Sequence, residues 1–188
     1  LGGITFYEKK IVPAKINSIE LITHDVIKVV FRLPPTANFK FISGQYVNLI
    51  KDNINRSYSI ANRLFNRNEL EFFIKKHENG LMSHYWFNEA KINDLLRVEG
   101  PLGSFFLRES NKENIIFLAT GTGVAPIKAI LDELENSAST IFLDKKIWIF
   151  VGARFEKDLF WSPKTEKYNI KYIPVLSRSK DNWTGEKG

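Results

Sequence analysis

The sequence contains no cysteine and has few other residues that bind transition metals. Its 188 residues include only three histidines. The lack of cysteine excludes disulfide bonds, thiolate zinc sites and cysteine-ligated iron–sulfur clusters from this polypeptide. His24, His77 and His84 are far apart and do not have the spacing of helical metal ligands. We therefore expect no metal site in this chain.

Long apolar runs and dense basic runs are also missing. No uninterrupted apolar stretch approaches the roughly 20 residues that a membrane span requires, so we expect no membrane-spanning segment. The lysines form nothing denser than pairs such as Lys75-Lys76 and Lys145-Lys146, which argues against nucleic acid as a partner. No secretory signal is visible at the start. Together with the lack of cysteine, these absences lead us to expect a cytoplasmic protein.

The composition supplies a hydrophobic core and a positive charge. Hydrophobic residues make up 44% of the chain, and its 15 phenylalanines and four tryptophans are large burial units. The formal net charge is +6. Scattered surface lysines would explain this charge, and so would a basic face that attracts phosphates or an acidic redox partner.

The first half of the chain has a β-like pattern from Val12 to about Leu107. Apolar residues mostly alternate with polar ones, and residues 25–33 are rich in β-branched side chains before Pro34-Pro35. One short helix fits between Leu81 and Phe87. Many short strands with close turns are typical of a small antiparallel barrel. The other strand candidates are residues 46–51, 57–61, 69–76 and 95–99.

The pattern changes after the polar segment 110–114. Residues 115–119 form a continuous apolar run, as a strand buried on both faces requires. Ile127, Ile130, Leu131 and Leu134 then have helical spacing. Two further strand candidates, 147–151 and 170–176, are separated by a shorter helical segment around 158–161. The order βαβαβ predicts a parallel sheet.

A glycine loop, Gly121 to Pro126, lies where the first of these strands meets the helix. Glycines there allow the backbone to approach a pyrophosphate, and the helix start offers free N–H groups. A tight turn without a ligand is the alternative, because the full G-x-G-x-x-G pattern is absent. The ends of the next two strands carry Arg154 and Arg178, which could bind nucleotide phosphates or could simply be solvated.

The segment Arg56 to Ala61 is the most informative part of the first half. Alternation places Arg56, Tyr58 and Ile60 on one strand face and the two serines on the other. An aromatic ring beside a cation and a hydroxyl suits a flavin with its phosphate. It equally suits any amphipathic strand.

Taken together, six segments resemble the ferredoxin–NADP reductase superfamily over nearly the whole chain. The sequence is most similar to the CDP-6-deoxy-glucoseen reductase branch of that superfamily, for example at Leu33-Pro34-Pro35 and Gly44 to Val47. The six segments are residues 56–59, 80–83, 100–105, 121–126, 151–154 with Asp158, and 183–185.

The resemblance implies an antiparallel six-stranded Greek-key flavin-binding barrel, followed by a parallel-sheet βαβαβ nicotinamide-binding domain. The expected boundaries are 11–110 for the barrel and 111–188 for the second domain, with 1–10 as a linker from a preceding domain. Members of the superfamily continue beyond the third strand of the second domain. We therefore expect this domain to be incomplete.

The resemblance also implies residue roles. Tyr58 would lie against the flavin ring, Arg56 would neutralise its phosphate, and Ser59 and Thr122 would be catalytic, close to the site of hydride transfer. The implied cofactor-binding residues are Arg56, Ser57, Tyr58, Ser59, Ile74, Lys75, Gly80, Leu81, Met82, Ser83, Gly121, Thr122, Gly123, Val124, Ala125, Pro126, Gly152, Arg154, Asp158, Ser177 and Arg178.

The implied activity is that of a flavoprotein reductase. NAD(P)H would give a hydride to FAD (FMN is less favoured), and electrons would pass to a [2Fe–2S] centre on another domain or partner protein, in deoxysugar biosynthesis. A free-flavin reductase or an oxygenase reductase component is the alternative enzyme. A flavin- or nucleotide-binding module without turnover is the alternative from another class.

Overall fold

The computed structural model describes residues 6–64, 68–138, 140–180 and 182–188, which form two sheets. The first sheet has six antiparallel strands in the order β4-β3-β6-β1-β2-β5. Residues 1–5 of the predicted linker lie outside the described residues, and Lys10 is already the first residue of β1. The six strands are β1 (Lys10–Thr23), β2 (Val26–Arg32), β3 (Tyr46–Lys51), β4 (Ile54–Ser59), β5 (Glu69–Lys75) and β6 (Leu95–Leu102).

Hydrogen bonds beyond the end of β4 close this sheet into a barrel. The Ala61 N–H donates to the Glu71 carbonyl at 2.8 Å. The Asn62 side chain donates to the Glu69 carbonyl at 3.0 Å and accepts from the Glu71 N–H at 2.8 Å. These bonds join the segment that follows β4 to β5, the strand at the opposite end of the sheet order. The predicted Greek-key barrel is confirmed.

Aromatic and aliphatic side chains fill the barrel, and a short helical segment packs against them. Phe31 and Phe72 are fully buried, with ring centroids 5.7 Å apart in an edge-to-face arrangement. Helix α1 (Leu81–His84) continues into a π-helical turn, Tyr85–Glu89, which places the buried Trp86 against Phe31.

The second sheet is parallel, with strand order β10-β9-β8-β7. Its strands are β7 (Asn114–Thr120), β8 (Lys146–Ala153), β9 (Asn169–Leu176) and the short β10 (Glu186–Lys187), and helix α2 (Val124–Asn136) joins the first two. The predicted nicotinamide-domain fold is confirmed. However, the helix predicted around 158–161 is only a 3₁₀ turn, Glu156–Asp158.

The expectation that β7 is buried on both faces is wrong. Phe117 faces α2 and is 7% exposed, whereas Ile116 and Leu118 are 61% and 75% exposed. Helix α2 covers one face of the sheet, and no described element covers the face that carries Ile116 and Leu118.

The barrel packs against the second domain through an apolar contact. Val26, Ala61 and Phe73 of the barrel belong to the same hydrophobic cluster as the buried face of α2. Phe73 also packs edge-to-face against Phe160, with ring centroids 5.2 Å apart. This contact fixes the orientation of the barrel relative to α2 and the glycine loop before it.

Candidate active site

An open cavity of about 300 Å³ lies between the barrel and the glycine loop. It combines side chains from β4, β5 and the start of α1 with one residue of the loop. Eight of its ten lining residues belong to the set implied by the resemblance. The lining residues are Arg56, Ser57, Tyr58, Phe73, Lys75, His77, Gly80, Met82, Ser83 and Thr122.

Phe73 and His77 line the cavity but were missed by sequence reasoning. Both follow the period-two alternation of β5 and of the residues just after it, on the same face as Lys75. Extending that alternation from Lys75 in both directions would have found them.

Tyr58 is held in the cavity wall by the barrel core. Its ring makes edge-to-face contacts with Phe72 and Trp86, and its hydroxyl accepts a 3.1 Å hydrogen bond from Trp86 Nε1. Burial raises the pKa of the Tyr58 hydroxyl, although the bond from Trp86 and the charge of Arg56 lower it. The two ring contacts and the bond from Trp86 fix the orientation of the Tyr58 ring.

Arg56 and Ser57 lie further toward solvent on the same strand. Arg56 is exposed, and its Nη1 donates to the Asn55 carbonyl at 2.7 Å. Ser57 Oγ donates to Asn48 Oδ1 at 2.8 Å, and the Asn48 amide donates to Glu99 at 2.8 Å. The guanidinium group is thus placed at the mouth of the cavity, where it can reach an anionic group.

Lys75 is oriented by an acidic residue that sequence analysis did not single out. Its Nζ lies 2.8 Å from Asp25 Oδ2, and the Thr23 hydroxyl donates to Asp25 Oδ1 at 3.0 Å. Burial raises the pKa of the Asp25 carboxyl, but the hydrogen bonds from Lys75 and Thr23 outweigh it, so that pKa is below its usual value.

The start of α1 presents free backbone amides beside the cavity. The first helical hydrogen bond runs from the His84 N–H to the Gly80 carbonyl, at 2.8 Å. The amides of residues 81–83 therefore have no acceptor inside the helix. Ser83 Oγ accepts from the His77 N–H at 2.8 Å, which fixes the turn that precedes the helix.

Three residues of the implied flavin set do not line the cavity. Ser59 is half-buried and pairs with Tyr46 across the β3–β4 ladder. The Ile74 side chain is 1% exposed in the barrel core, so only its backbone can face a ligand. Leu81 is 66% exposed at the helix start and can likewise contribute its amide.

The glycine loop joins β7 to α2 through a 3₁₀ turn, Gly121–Gly123. Gly121 has a left-handed φ of 51°, and no heavy atom lies within 4 Å of the position its Cβ would occupy. The loop is therefore open to a ligand on that side. The side chains of Val124 and Ala125, the first two residues of α2, are buried in the apolar cluster that α2 shares with the barrel, and Pro126 is half-buried. These three residues therefore offer mainly their backbone to a ligand.

The loops after β8 and β9 meet at the same sheet edge. The Ser177 N–H donates to the Ala153 carbonyl at 3.0 Å, and the Arg178 N–H donates to the Arg154 carbonyl at 2.9 Å. Gly152 pairs with Thr120 of β7, next to the glycine loop. These contacts connect the predicted adenosine end of the site to the glycine loop through the ends of the strands.

Arg178 lines a second cavity, of about 680 Å³, at this edge. Phe155 and Trp183 form aromatic walls, and Lys157 and Lys180 add positive charge. Asp158 is not among the lining residues. Its carboxylate accepts from the Phe155 N–H at 3.1 Å and so closes its own turn.

The described residues contain neither a metal-binding cluster nor a membrane-spanning helix. In residues 6–64, 68–138, 140–180 and 182–188, no three His, Cys, Asp or Glu side chains form a group that could hold a metal ion. Within the same ranges, neither α-helix has the length and apolar character that crossing a membrane requires.

Comparisons with known proteins match this two-part organisation. An oxidoreductase FAD-binding domain family matches residues 13–107, and an oxidoreductase NAD-binding domain family matches residues 117–188. The chain also resembles the structure of a ferredoxin reductase in carbazole 1,9a-dioxygenase, with a TM-score of 0.81. That match has 22% identity and covers 98% of this chain and 56% of the other.

Two curated relatives match almost the entire chain. Protein RfbI of Salmonella typhimurium is 42% identical over 186 residues. The CDP-6-deoxy-L-threo-D-glycero-4-hexulose-3-dehydrase reductase of Yersinia pestis is 39% identical over 189 residues. These matches cover 96% and 98% of this chain, but only 54% and 56% of the relatives' own lengths. The chain therefore belongs to the ferredoxin reductase family of oxidoreductases, in which an FAD-binding domain is followed by an NAD-binding domain.

Proposed function

We propose that the chain is the cofactor-binding core of a reductase in which bound FAD takes a hydride from NAD(P)H and passes electrons to an iron–sulfur centre. The observation that carries this proposal is the cavity between the barrel and the glycine loop. Tyr58 of the barrel and Thr122 of the loop line the same cavity, although they are far apart in sequence. Hydride transfer requires two cofactors to meet at such a junction.

The residues of the barrel wall fit a flavin. Tyr58, Phe73 and Met82 offer aromatic and apolar surface to a ring system. Arg56 at the mouth of the cavity would pair with a phosphate, and the free amides of residues 81–83 would donate to its oxygens. We propose that the Ser59 hydroxyl donates to the reactive edge of the ring, a role that requires it to turn toward the cavity.

The glycine loop and the second cavity fit a nicotinamide dinucleotide. The open side of Gly121 and the start of α2 would receive the pyrophosphate, and Thr122 would orient the nicotinamide toward Tyr58. Arg178, Ser177 and Arg154 would surround the adenosine end. Asp158 would act indirectly, because its carboxylate already closes the turn beside this cavity.

The electron acceptor must be held outside these 188 residues. A cysteine-ligated cluster needs thiolates, and the chain has none. The Yersinia pestis relative is named as a reductase of a dehydrase acting on a CDP-6-deoxy sugar. We propose the same kind of acceptor here, in deoxysugar biosynthesis, with an iron–sulfur domain or protein as the immediate partner.

Absorbance spectroscopy tests the flavin and hydride steps separately. The full chain mixed with FAD should retain a yellow colour after gel filtration and should bleach anaerobically on addition of NADH or NADPH. A chain that retains neither FAD nor FMN would refute both the reductase and the simpler flavin-binding module. A yellow chain that NAD(P)H does not bleach would leave only the binding module.

Arg56→Ala should weaken FAD binding about tenfold, because a charge-assisted bond to the phosphate is lost. Arg97→Ala is the matched control, since Arg97 is exposed on β6 and does not line the cavity. Fluorescence titration of FAD measures both affinities. Equal affinities for the two variants would remove Arg56 from the flavin site.

Arg178→Ala should slow flavin reduction by NADPH more than reduction by NADH, because a guanidinium group binds the 2′-phosphate that only NADPH carries. Bleaching rates measured with each cofactor give the comparison. An unchanged preference between the two cofactors would exclude Arg178 from that role.

A further inference from the structure

A polar cluster lies at the junction of α2 and the barrel, away from the candidate cavity, with Lys128 at its centre. Lys128 Nζ lies 2.7 Å from Asp132 Oδ2, 3.0 Å from the Ala61 carbonyl oxygen and 3.3 Å from Glu71 Oε1. The Lys128 and Glu71 side chains are only 23% and 20% exposed. Asp132 is on the same helix, whereas Ala61 and Glu71 belong to the barrel. One ammonium group therefore joins the helix to the barrel.

The barrel side of this cluster is continuous with the strands that line the candidate cavity. Ala61 lies just beyond the end of β4, and its N–H donates to the Glu71 carbonyl at 2.8 Å. The Glu71 N–H in turn donates to Asn62 Oδ1 at 2.8 Å. These hydrogen bonds thus tie the backbone of Ala61 and Glu71, the two barrel residues that Lys128 reaches, to the end of β4 and to β5.

The helix side of the cluster is continuous with the glycine loop. Helix α2 begins at Val124, directly after Gly121–Gly123, and Lys128 lies about one turn further on. A helix turn is rigid, so a displacement of Lys128 relative to the barrel also displaces Thr122 relative to Tyr58.

The charge of Lys128 is maintained despite its burial. Burial lowers the pKa of the ammonium group, but the hydrogen bond to Asp132 and the charge of Glu71 raise it by more, so the pKa is above its ordinary value. Short charge-assisted bonds are stronger than neutral ones and define direction as well as distance.

We propose that Lys128 is a positioning residue for hydride transfer, which sets the distance between the glycine loop and the flavin-facing strands without touching either cofactor. This inference rests on the proposed function. A displacement of about 1 Å between reacting groups can slow a reaction by as much as about a hundredfold, so a partial loosening has a measurable cost.

The test compares Lys128→Met with Lys167→Met in the full chain. Lys167 also supports α2, but at its opposite end, where Nζ donates to the carbonyls of Glu135 and Ser137 at 3.3 and 3.0 Å. Lys128→Met should lower the rate of FAD reduction at saturating NAD(P)H about tenfold, with FAD affinity changed by less than about twofold. Lys167→Met should lower the melting temperature and leave the reduction rate unchanged.

A Lys128→Met variant that reduces FAD at the wild-type rate would overturn the proposal. Equal rate losses in both variants would also overturn it, because the effect would then be general destabilisation of α2. Adding Glu71→Gln to Lys128→Met should lower the rate of FAD reduction little further, since both substitutions break the same Lys128–Glu71 ion pair.

Amide hydrogen exchange of residues 120–127 gives a readout that does not depend on turnover. Exchange should be faster in Lys128→Met than in Lys167→Met, and equal exchange would overturn the link between Lys128 and the loop. A wild-type chain that binds FAD but is not reduced would refute the proposed function. In that case the exchange rates of residues 120–127 in the two variants would still test whether Lys128 holds the glycine loop.

Discussion

At the scale of single residues, the bond from Trp86 Nε1 to the Tyr58 hydroxyl connects the barrel core to the cavity. Trp86 is 3% exposed, so its indole N–H has no access to water and depends on Tyr58 as an acceptor. The orientation of the aromatic ring in the cavity wall is therefore determined from inside the barrel. This bond makes Tyr58 a structural residue as well as a candidate flavin contact.

Tyr58→Phe should lower the free energy of unfolding by about 1–3 kcal/mol, because the buried Trp86 N–H loses its partner. Urea denaturation of the chain without flavin measures the loss. Tyr7→Phe is the control, since Tyr7 is 36% exposed and should change stability by less than about 0.5 kcal/mol. Equal stabilities of the two variants would show that the Trp86 bond contributes nothing.

Asp25 should make stability depend on pH in the acid range. Its pKa is lowered in the folded state, so its contribution is fully present above the unfolded value of 3.8 and is lost as the pH falls through the lower folded value. Urea unfolding of the wild type and Asp25→Asn should differ most above pH 3.8 and converge below it.

Asp52→Asn is the control for that comparison, because the Asp52 side chain is 77% exposed in its pair with Lys51. Its effect should stay within about 0.5 kcal/mol at every pH. A difference between the wild type and Asp25→Asn that grows as the pH falls would contradict the sign of the Asp25 prediction.

At the scale of elements, Gly44 and Gly121 show two different uses of left-handed backbone in loops. Gly44, before β3, has a φ of 107°, and a Cβ there would lie 2.0 Å from the Phe105 carbonyl oxygen. This close approach ties the start of β3 to the segment that follows β6. Gly121 has a φ of 51° but faces open space.

Gly44→Ala should destabilise the chain by about 3 kcal/mol or more, because backbone strain and overlap with a neighbouring backbone add together. Gly121→Ala should cost only about 1 kcal/mol, from strain alone. Thermal and urea unfolding compare the two variants. A Gly44→Ala loss no larger than that of Gly121→Ala would mean that the segment around Phe105 moves freely.

The second crossover shows how a tertiary contact can replace a predicted helix. The segment around 158–161 has helical character in sequence, yet only Glu156–Asp158 forms a turn, closed by the Asp158 carboxylate on the Phe155 N–H. Phe160 instead packs on Phe73 of the barrel. Burial of an aromatic ring outweighs the few tenths of a kcal/mol by which helix propensities differ.

At the scale of the whole molecule, the parallel sheet is covered unevenly. Helix α2 packs on one face, while the other face presents Ile116 and Leu118 on β7, one of the two edge strands of the sheet among the described residues. An exposed apolar strand at a sheet edge favours pairing with other chains.

Leu118→Lys should reduce self-association of the 188-residue chain with little change in unfolding free energy, because the side chain already lies in water. Sedimentation velocity at several concentrations measures association. Phe117→Lys is the matched contrast on the covered face and should prevent folding. Unchanged association of Leu118→Lys would show that this face does not drive self-association.

The sequence by itself determined most of the strands, helix α2 and the place of the glycine loop, but it did not identify β1 or β10. These follow from local periodicity and turn residues, for example the β-branched run of β2 and the helical spacing of Ile127, Ile130 and Leu134. The motifs Arg56 to Ser59 and Gly121 to Pro126 were likewise readable as local patterns.

Only the tertiary structure decided that Tyr58 and Thr122 share one cavity, that Asp25 holds Lys75, and that Lys128 joins α2 to the barrel. Local pattern carries no information about pairs of residues far apart in the chain, because packing between domains decides which of them meet. Ile74 and Asp158 show this limit, because their motifs placed both in the cofactor-binding set. The Ile74 side chain is buried in the barrel core, and the Asp158 carboxylate is already bonded to the Phe155 N–H. A motif identifies which residues lie near a site, whereas burial and hydrogen bonding determine which side chains are free to act there.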